Sequence, residues 1–298
     1  MALEDEKFGN SFHPDVVLHL GGPFVSKKLQ QHLEIAAIRH YILVHENPKR
    51  IDPGHIVTER LQIDPTYFAS ELKKIVKAKK SIVKKSAIIQ KLIDNILEGN
   101  ELTEPGIARI ISENIPADQA LFIGNSMPIR DMNEFAVWDG ETIIVGSNRG
   151  ASGIDGAVAS AAGFALGLKK PVTLLIGDVA LLHDLNSLNL LRNLRFPVTI
   201  VCLNNNGGGI FSHLPIAEHK DVFETYFKTP HNLSFENAAK MFGLSWVKPH
   251  TPDVLLANLR ASWSAQQSSL LEIETSERKN AELRQRLHSL LNNDETAL

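Results

Sequence analysis

The stretch GDVALLHDLNSLNLLRNLRFPVTIVCLNNNGGGIF, Gly177 to Phe211, decides how the chain is read. The apolar strand PVTLLIGD closes in Gly177 and Asp178, and a helix from Ala180 to Leu194 follows. A second apolar strand, VTIVCLNN, then runs into Asn206, three glycines, Ile210 and Phe211. A loop that only had to turn would need one glycine, with one Asn to tolerate a left-handed backbone. A strand, helix, parallel strand unit sets its strands side by side, about 4.8 Å apart, with both C-terminal ends on one crevice. Asp178 and Asn205 thus present a carboxylate oxygen and an amide oxygen to one point. That donor set suits Mg²⁺ (or Mn²⁺), which shares its oxygens among carboxylates, waters and phosphates. Glycines let a backbone carbonyl approach the same ion. The helix start near Val179 adds unpaired N–H groups that favour an anion, so the crevice wants a metal and a diphosphate together. Taken singly, each residue keeps a plainer reading, with Asp178 as an N-cap and one asparagine as an Asx turn.

The chain has 298 residues, 43% hydrophobic and 22% charged, enough for one large or two smaller globular domains. A formal charge of -3 gives no general pull toward nucleic acid or anionic membrane. The single cysteine, Cys202, sits inside VTIVCL, which excludes an intramolecular disulfide and points to a small buried hydrophobe. The acidic start MALEDEKFGN is unlike a signal or transit peptide, and no apolar run approaches the roughly 18 residues of a membrane span. The expectation is a soluble cytoplasmic protein, or a stromal one if it comes from a photosynthetic eukaryote, with neither nucleic acid nor membrane as partner.

Upstream, DVVLHLGG, YILVHEN and HIVTERLQID read as three strands, with a helix from about Ser26 to Ile38 after the first. A helical pattern follows, with Ile75, Val76, Ile82, Val83, Ile89 and Ile93 on one face and seven lysines from Lys73 to Lys85 on the other, read as a solvated linker face. The domain boundary falls at Glu98 to Asn100, where Gly99 suits a C-cap. Beyond it, a helix from Glu104 to Asn114, the strands ALFIGNS and TIIVGSN and the small-residue helix GAVASAAGFALGL lead into the opening stretch. The last residues, from about Asn280, are polar enough to fray. The predicted fold is α/β with parallel sheets, residues 1–98 and 99–298 forming two domains.

The opening stretch resembles the thiamine diphosphate motif, which begins GD and ends NN. With GNSMPIRDM, SNRGASGIDG, DLNSL and NNNGGGIFSHLP, the chain is similar to one branch of those enzymes, the menaquinone- and phylloquinone-pathway 2-succinyl-5-enolpyruvyl-6-hydroxy-3-cyclohexene-1-carboxylate synthases. The match covers about Phe12 to Gly243. It implies a diphosphate-binding domain preceded by part of a Rossmann-like central domain. It also implies a transferase that decarboxylates 2-oxoglutarate on thiamine diphosphate and adds the carbanion to isochorismate. By this resemblance Asp178, Asn205 and the Gly207 carbonyl hold Mg²⁺ against the diphosphate, with Gly177, Gly208 and Ser126 around the cofactor and Ile154 wedged beneath it. Arg130 and Arg149 would bind substrate carboxylates, chemistry that a guanidinium fork suits, and Ile210 and Phe211 would wall the reacting carbon. Asn125 belongs to the same motif, and Ser126 before Met-Pro also reads as a helix N-cap. Lys27 matches a family lysine loosely. His183 and His213 stand beside motif positions, where a supporting or surface role competes with proton shuttling.

Family members run to nearly twice this length and carry an N-terminal pyrimidine-binding domain with the glutamate that activates the cofactor. None here fills that role: Glu46 and Glu59 fall in the central-domain part, Glu134 and Glu141 in loops of the last domain. The chain is therefore expected to begin mid-enzyme and to be inactive alone, working as a homo-oligomer or with a partner chain that supplies the missing domain. Three alternatives stand: an acetolactate synthase-like decarboligase, a noncatalytic cofactor-binding fragment, and an NAD-type domain suggested by LHLGGPF, which lacks the full G-x-G-x-x-G.

Overall fold

Runs without polar interruption, such as VTLLIG and VTIVCLN, are buried on both faces when a parallel sheet is covered by helices. The computed structural model of the chain, which describes residues 2–74, 81–137, 143–149 and 153–292, buries both. The chain divides into two compact units, Leu97–Leu283 and Met1–Ile96 together with Arg284–Leu298. In the latter, β1 (Val16–Leu20), β2 (His40–Val44) and β3 (Glu59–Leu61) pair in that order, all parallel. The former holds β4 (Ala120–Ile123), β5 (Ile144–Ser147), β6 (Val172–Gly177), β7 (Val198–Asn204), β8 (Ser245–Val247) and β9 (Ser269–Glu274). These strands are also parallel, in the order β5-β4-β6-β7-β9-β8. No described helix is long and apolar enough to cross a membrane.

In the six-stranded unit the Ala157–Leu168 helix sets Ala157, Val158, Ala161, Ala162 and Ala165 in one core with Val172, Leu174 and Ile176 of β6 and Ile200 and Cys202 of β7. Its N-cap is Gly156, which has no side chain to offer the first N–H groups. Asp184 supplies the cap from elsewhere: its Oδ2 accepts from the N–H groups of Val158 at 2.6 Å and Ala159 at 3.1 Å. That use corrects the helix expected from Ala180 to Leu194. It is broken into Asp178–His183, a 3₁₀ turn over Leu185–Ser187 and a short helix Leu188–Leu191. The six residues after β6 carry less dipole than the longer helix expected. Cys202 is fully buried as expected, and burial, reinforced by the Asp178 and Glu272 carboxylates, pushes its thiol well up.

β9 brings the buried carboxylate of Glu272 beside the end of β7. Asn204 Nδ2 (2.8 Å), Ser234 Oγ (3.0 Å), the Phe235 N–H (3.0 Å) and Trp246 Nε1 (2.9 Å) all donate to it. A buried charge is tolerated when it is hydrogen-bonded this fully.

In the three-stranded unit, the helix expected from Ser26 is Lys27–Ile35, with Ser26 Oγ accepting from the Leu29 N–H at 3.2 Å. The expected third strand, HIVTERLQID, shrinks to Glu59–Leu61. The Asp52 carboxylate takes the N–H groups of Ile56 and Val57, each at 3.1 Å, and so withdraws them from any ladder. The linker helix is Ser81–Leu97, with Ile89, Ile93 and Ile96 buried. Of its expected faces, Lys73 and Lys74 are exposed. Ile75, Val76 and the side chains of Ile82, Val83 and the remaining lysines lie outside the described residues. The C-terminal stretch does not fray from Asn280: a helix spans Glu277–Asn292 with Leu287 and Leu291 buried. Asn292 accepts from the Glu6 N–H at 2.9 Å and donates to the Glu4 carbonyl at 3.1 Å, and Arg284–Leu298 fall in the unit of residues 1–96. The sequence places the second domain at 99–298; the compact unit that holds the six-stranded sheet spans Leu97–Leu283.

Candidate metal and cofactor site

In the six-stranded sheet β4 lies between β5 and β6, so the order of connection reverses there. Ligands of open parallel sheets bind outside the strand C-termini at such a switch point. A cavity of about 110 Å³ opens at that place. Asn125 and Ser126 after β4, Gly177 at the end of β6 with Asp178 next to it, and Asn205, Gly207 and Gly208 after β7 line it, with Ile154, Ile210 and Phe211 as apolar wall. β6 and β7 are neighbours in parallel register, Gly177 opposite Leu203, as the sequence predicts.

Asp178 is 2% exposed. Its Oδ1 accepts from the Val179 N–H at 2.7 Å, and its Oδ2 from the Gly207 N–H at 2.9 Å and from His231 Nε2 at 3.1 Å. His231 Nδ1 accepts from the Leu233 N–H at 3.0 Å, which places the ring proton on Nε2 in the neutral imidazole. With both sites on Oδ2 taken, Oδ1 keeps an acceptor site for a cation. Asp178 is not an N-cap: Gly177 holds that position.

The three asparagines have three tasks. Asn204 donates to Glu272 and, at 3.1 Å, to the Leu233 carbonyl. Asn206, at φ 63°, accepts from the N–H groups of His231 (3.1 Å) and Asn232 (2.7 Å), holding the segment that brings His231 to Asp178. Asn205 donates through Nδ2 to Glu104 Oε1 at 2.8 Å, while its buried Oδ1 bonds to no described group. The glycines answer to sterics: a Cβ on Gly207, at φ 135°, would lie 2.1 Å from the Lys228 carbonyl oxygen, and one on Gly209 2.7 Å from Asn205 Nδ2. Gly208 donates its N–H to the same Lys228 oxygen at 2.7 Å.

Ser126 precedes the Met127–Phe135 helix without capping it: its side chain makes no cap bond, and its backbone holds φ 73°, ψ -131°. Such a backbone costs a non-glycine residue about 1–3 kcal/mol and concentrates at functional sites. Arg130 Nη1 donates to the Ser126 carbonyl at 2.5 Å and Arg149 Nη1 to Asn125 Oδ1 at 3.4 Å. Both arginines are exposed, one bond away from residues that line the cavity rather than in its lining, and neither pairs with a described carboxylate. Asn125 Nδ2 fastens the loop after β5 through the carbonyls of Asn148 (2.9 Å) and Gly153 (2.7 Å). Gly150, Ala151 and Ser152 of the SNRGASGIDG motif lie outside the described residues. Phe211 meets Phe227 edge-on, centroids 5.7 Å apart.

His183 and His213 are exposed and outside the lining, and Lys27 is exposed in the three-stranded unit. Glu134 sits on the Met127–Phe135 helix, not in a loop, and Glu141 is outside the described residues. The sequence reading missed two members of the site. Glu104, 3% exposed at the start of the Glu104–Asn114 helix, lines the cavity, and His231 holds Asp178. Neither carries a motif signal, since each reaches the site only through tertiary structure.

Among the described residues no three His, Cys, Asp or Glu side chains group into a metal site. A cation here would rest on the mixed oxygen set of Asp178, Asn205 and the Gly207 carbonyl. The orphaned Asn205 Oδ1 and the glycine cradle fit that role.

Residues 2–123 match the family described as "Middle domain of thiamine pyrophosphate". Residues 134–273 match "Thiamine pyrophosphate enzyme, C-terminal TPP binding domain". Among curated relatives, the 2-succinyl-5-enolpyruvyl-6-hydroxy-3-cyclohexene-1-carboxylate synthase of Chlorobium phaeobacteroides (strain BS1) is 43% identical over 98% of this chain and 51% of its own length. The synthase of the same name from Rubrobacter xylanophilus is 43% identical over 96% of this chain and 51% of its own. The chain thus spans about half the length of these relatives. The crystal structure of benzoylformate decarboxylase from Polynucleobacter necessarius superposes with a TM-score of 0.64 at 18% identity, over 88% of this chain and 49% of that one, a likeness of fold.

Proposed function

Since the chain belongs to the thiamine diphosphate-dependent enzymes and aligns with half of the 2-succinyl-5-enolpyruvyl-6-hydroxy-3-cyclohexene-1-carboxylate synthases, we propose that it is the diphosphate-binding part of such a synthase. The reaction is decarboxylation of 2-oxoglutarate and addition of the remaining carbon unit to isochorismate. The observation that carries this reading is the buried, unpartnered Asn205 Oδ1 in one cavity with Asp178 and Gly207. Asp178, Asn205 and the Gly207 carbonyl would hold Mg²⁺ or Mn²⁺, whose charge would offset that of the diphosphate. Thiamine diphosphate, when bound, supplies the carbon nucleophile.

The protein's own side chains orient and shield. Ile154 would support the bound cofactor, and Ile210 and Phe211 would keep water from the reacting carbon, where electrostatic interactions are stronger for the lack of solvent. Arg130 and Arg149, exposed and with no ion-pair partner among the described residues, receive the carboxylates of the two dicarboxylate substrates in bidentate fashion. The pyrimidine end of the cofactor and its activating glutamate belong to a pyrimidine-binding domain outside the two domains matched here. Glu104, the described glutamate in the cavity lining, is already committed to Asn205 and to the Thr275 hydroxyl, which donates to it at 3.0 Å.

Isothermal titration of the purified chain with thiamine diphosphate and Mg²⁺ tests the reading. Metal-dependent binding is expected, and Asp178→Ala should weaken it by about 100-fold or more, roughly 2.7 kcal/mol. The same chain alone should release no CO₂ from 2-oxoglutarate. Binding that ignores the substitution removes the metal assignment, and turnover by the isolated chain removes the need for a partner.

A further inference from the structure

A carboxamide presents an oxygen on one side and an NH₂ on the other, and the two are nearly isosteric. A cation at Asn205 accepts only the oxygen, so something must decide which way the amide faces. Glu104 sits where it can decide. A carboxylate accepts and does not donate. At 2.8 Å from Glu104 Oε1, the Asn205 atom must therefore be Nδ2, and Oδ1 is turned the other way, buried and bonded to no described group.

Glu104 is itself fixed. It opens the Glu104–Asn114 helix, whose N-cap Thr103 accepts from the Gly106 N–H at 3.2 Å. Its backbone N–H donates to Asn280 Oδ1 at 3.0 Å, and its Oε1 also accepts from Thr275 Oγ1 at 3.0 Å. Gly209 completes the arrangement by leaving room for the amide, since a Cβ there would lie 2.7 Å from Asn205 Nδ2.

We propose that Glu104 is a positioning residue of the metal site, keying the Asn205 amide so that its oxygen faces the cation. This rests on the reading of Asn205 as a metal ligand. Groups that orient metal ligands from outside the coordination sphere typically contribute about 10–100-fold in metal affinity. The polarity of the pair is what matters, so it can be reversed. In the double variant Glu104→Gln with Asn205→Asp, the introduced amide donates an N–H to the introduced carboxylate, whose other oxygen faces the ion. Side-chain volumes and net charge are kept.

The test is Mn²⁺ affinity of the full 298-residue chain with saturating thiamine diphosphate, read from the free Mn²⁺ signal in electron paramagnetic resonance, with circular dichroism as the check on folding. Glu104→Ala should bind Mn²⁺ about 10–100-fold more weakly, and the swapped double variant should return to within about threefold of the parent. If Glu104→Ala binds like the parent while Asp178→Ala and Asn205→Ala do not, the keying role is wrong and the metal site stands. A folded double variant as weak as Glu104→Ala assigns Glu104 a merely structural part and overturns the proposal. Should Glu104→Ala fail to fold, the isosteric swap decides alone: recovery supports keying, loss refutes it. Parent-like binding by Asp178→Ala and Asn205→Ala instead overturns the proposed function, and the keying role with it.

Discussion

The parallel strands β1 and β6 each run into glycine, Gly21 just after β1 and Gly177 as the last residue of β6, and each lies at a cavity, of about 50 Å³ in the three-stranded unit and about 110 Å³ in the six-stranded one. The polar groups at the two ends are used in opposite ways. At the end of β1, the buried imidazole of His19 spends both nitrogens inside the protein, Nδ1 on the Tyr41 hydroxyl at 3.1 Å and Nε2 on the Gly22 carbonyl at 2.7 Å. Phe24 stacks on the ring at 4.1 Å. At the end of β7, beside β6, the Asn205 oxygen stays buried and unsatisfied. Leaving a buried polar group unpaired costs about 1–3 kcal/mol, so the arrangement makes sense where a ligand completes it. One strand end is closed on itself, and the other is built to receive something.

The sharpest way to break this comparison is to put a methyl group at each end. Gly207→Ala drives a Cβ to 2.1 Å from the Lys228 carbonyl oxygen at φ 135°. The loop must move, and we expect stability to fall by about 2–4 kcal/mol in urea unfolding, together with loss of cofactor-linked Mn²⁺ binding. Gly21→Ala, at φ 97° with no atom within 4 Å of the new Cβ, should cost only the backbone strain, about 1 kcal/mol, and leave binding intact. Equal effects of the two would mean that the β7 loop is no more constrained than an ordinary turn.

These contrasts also show what a sequence can disclose. The β6–β7 adjacency and the meeting of Asp178 with the Asn205 loop are legible because a strand, helix, parallel strand connection fixes them locally. Cys202 is legible as a buried apolar position for the same reason. The break at Asp184 is not: its sequence is amphipathic throughout, and its cause is the N-terminus of a different helix, at Val158 and Ala159. Glu104 and His231 are hidden likewise. Glu104 reads as an ordinary first-turn acid and His231 as a loop residue until the fold brings them to Asn205 and Asp178. Asn206 reads as one of three similar amides, yet its φ of 63° and two accepted N–H groups make it the clasp of the His231 segment.

A middle-sized effect is expected at His231, which occupies Asp178 Oδ2 and so leaves Oδ1 to face the proposed cation. His231→Ala should weaken Mn²⁺ binding with thiamine diphosphate about 10-fold, and His231→Gln, which keeps an N–H donor, should recover most of it. If Gln fails as badly as Ala in a folded chain, the ring contributes shape rather than its hydrogen bond, and the polar contrast between the two strand ends weakens.

The smallest effect belongs to the closed end. Burial is the main cause that lowers the His19 pKa below its ordinary value, with repulsion from His45 adding to it and the Gly22 bond opposing it. The unfolded chain then takes up this proton more readily than the folded one. The contribution of His19 is fully present above the ordinary histidine pKa of about 6.5 and is lost as pH falls below it toward the folded value. Urea unfolding of the parent at pH 7.5 and 5.5 should therefore show an acid loss of stability that is smaller in His19→Gln. Because His19 belongs to the three-stranded unit and is not among the residues that line the cavity of the six-stranded one, that substitution should leave thiamine diphosphate binding at pH 7.5 unchanged. Parallel pH slopes for parent and variant would show that the imidazole is not held neutral by its surroundings, and the closed strand end would lose the feature that sets it apart from the open one.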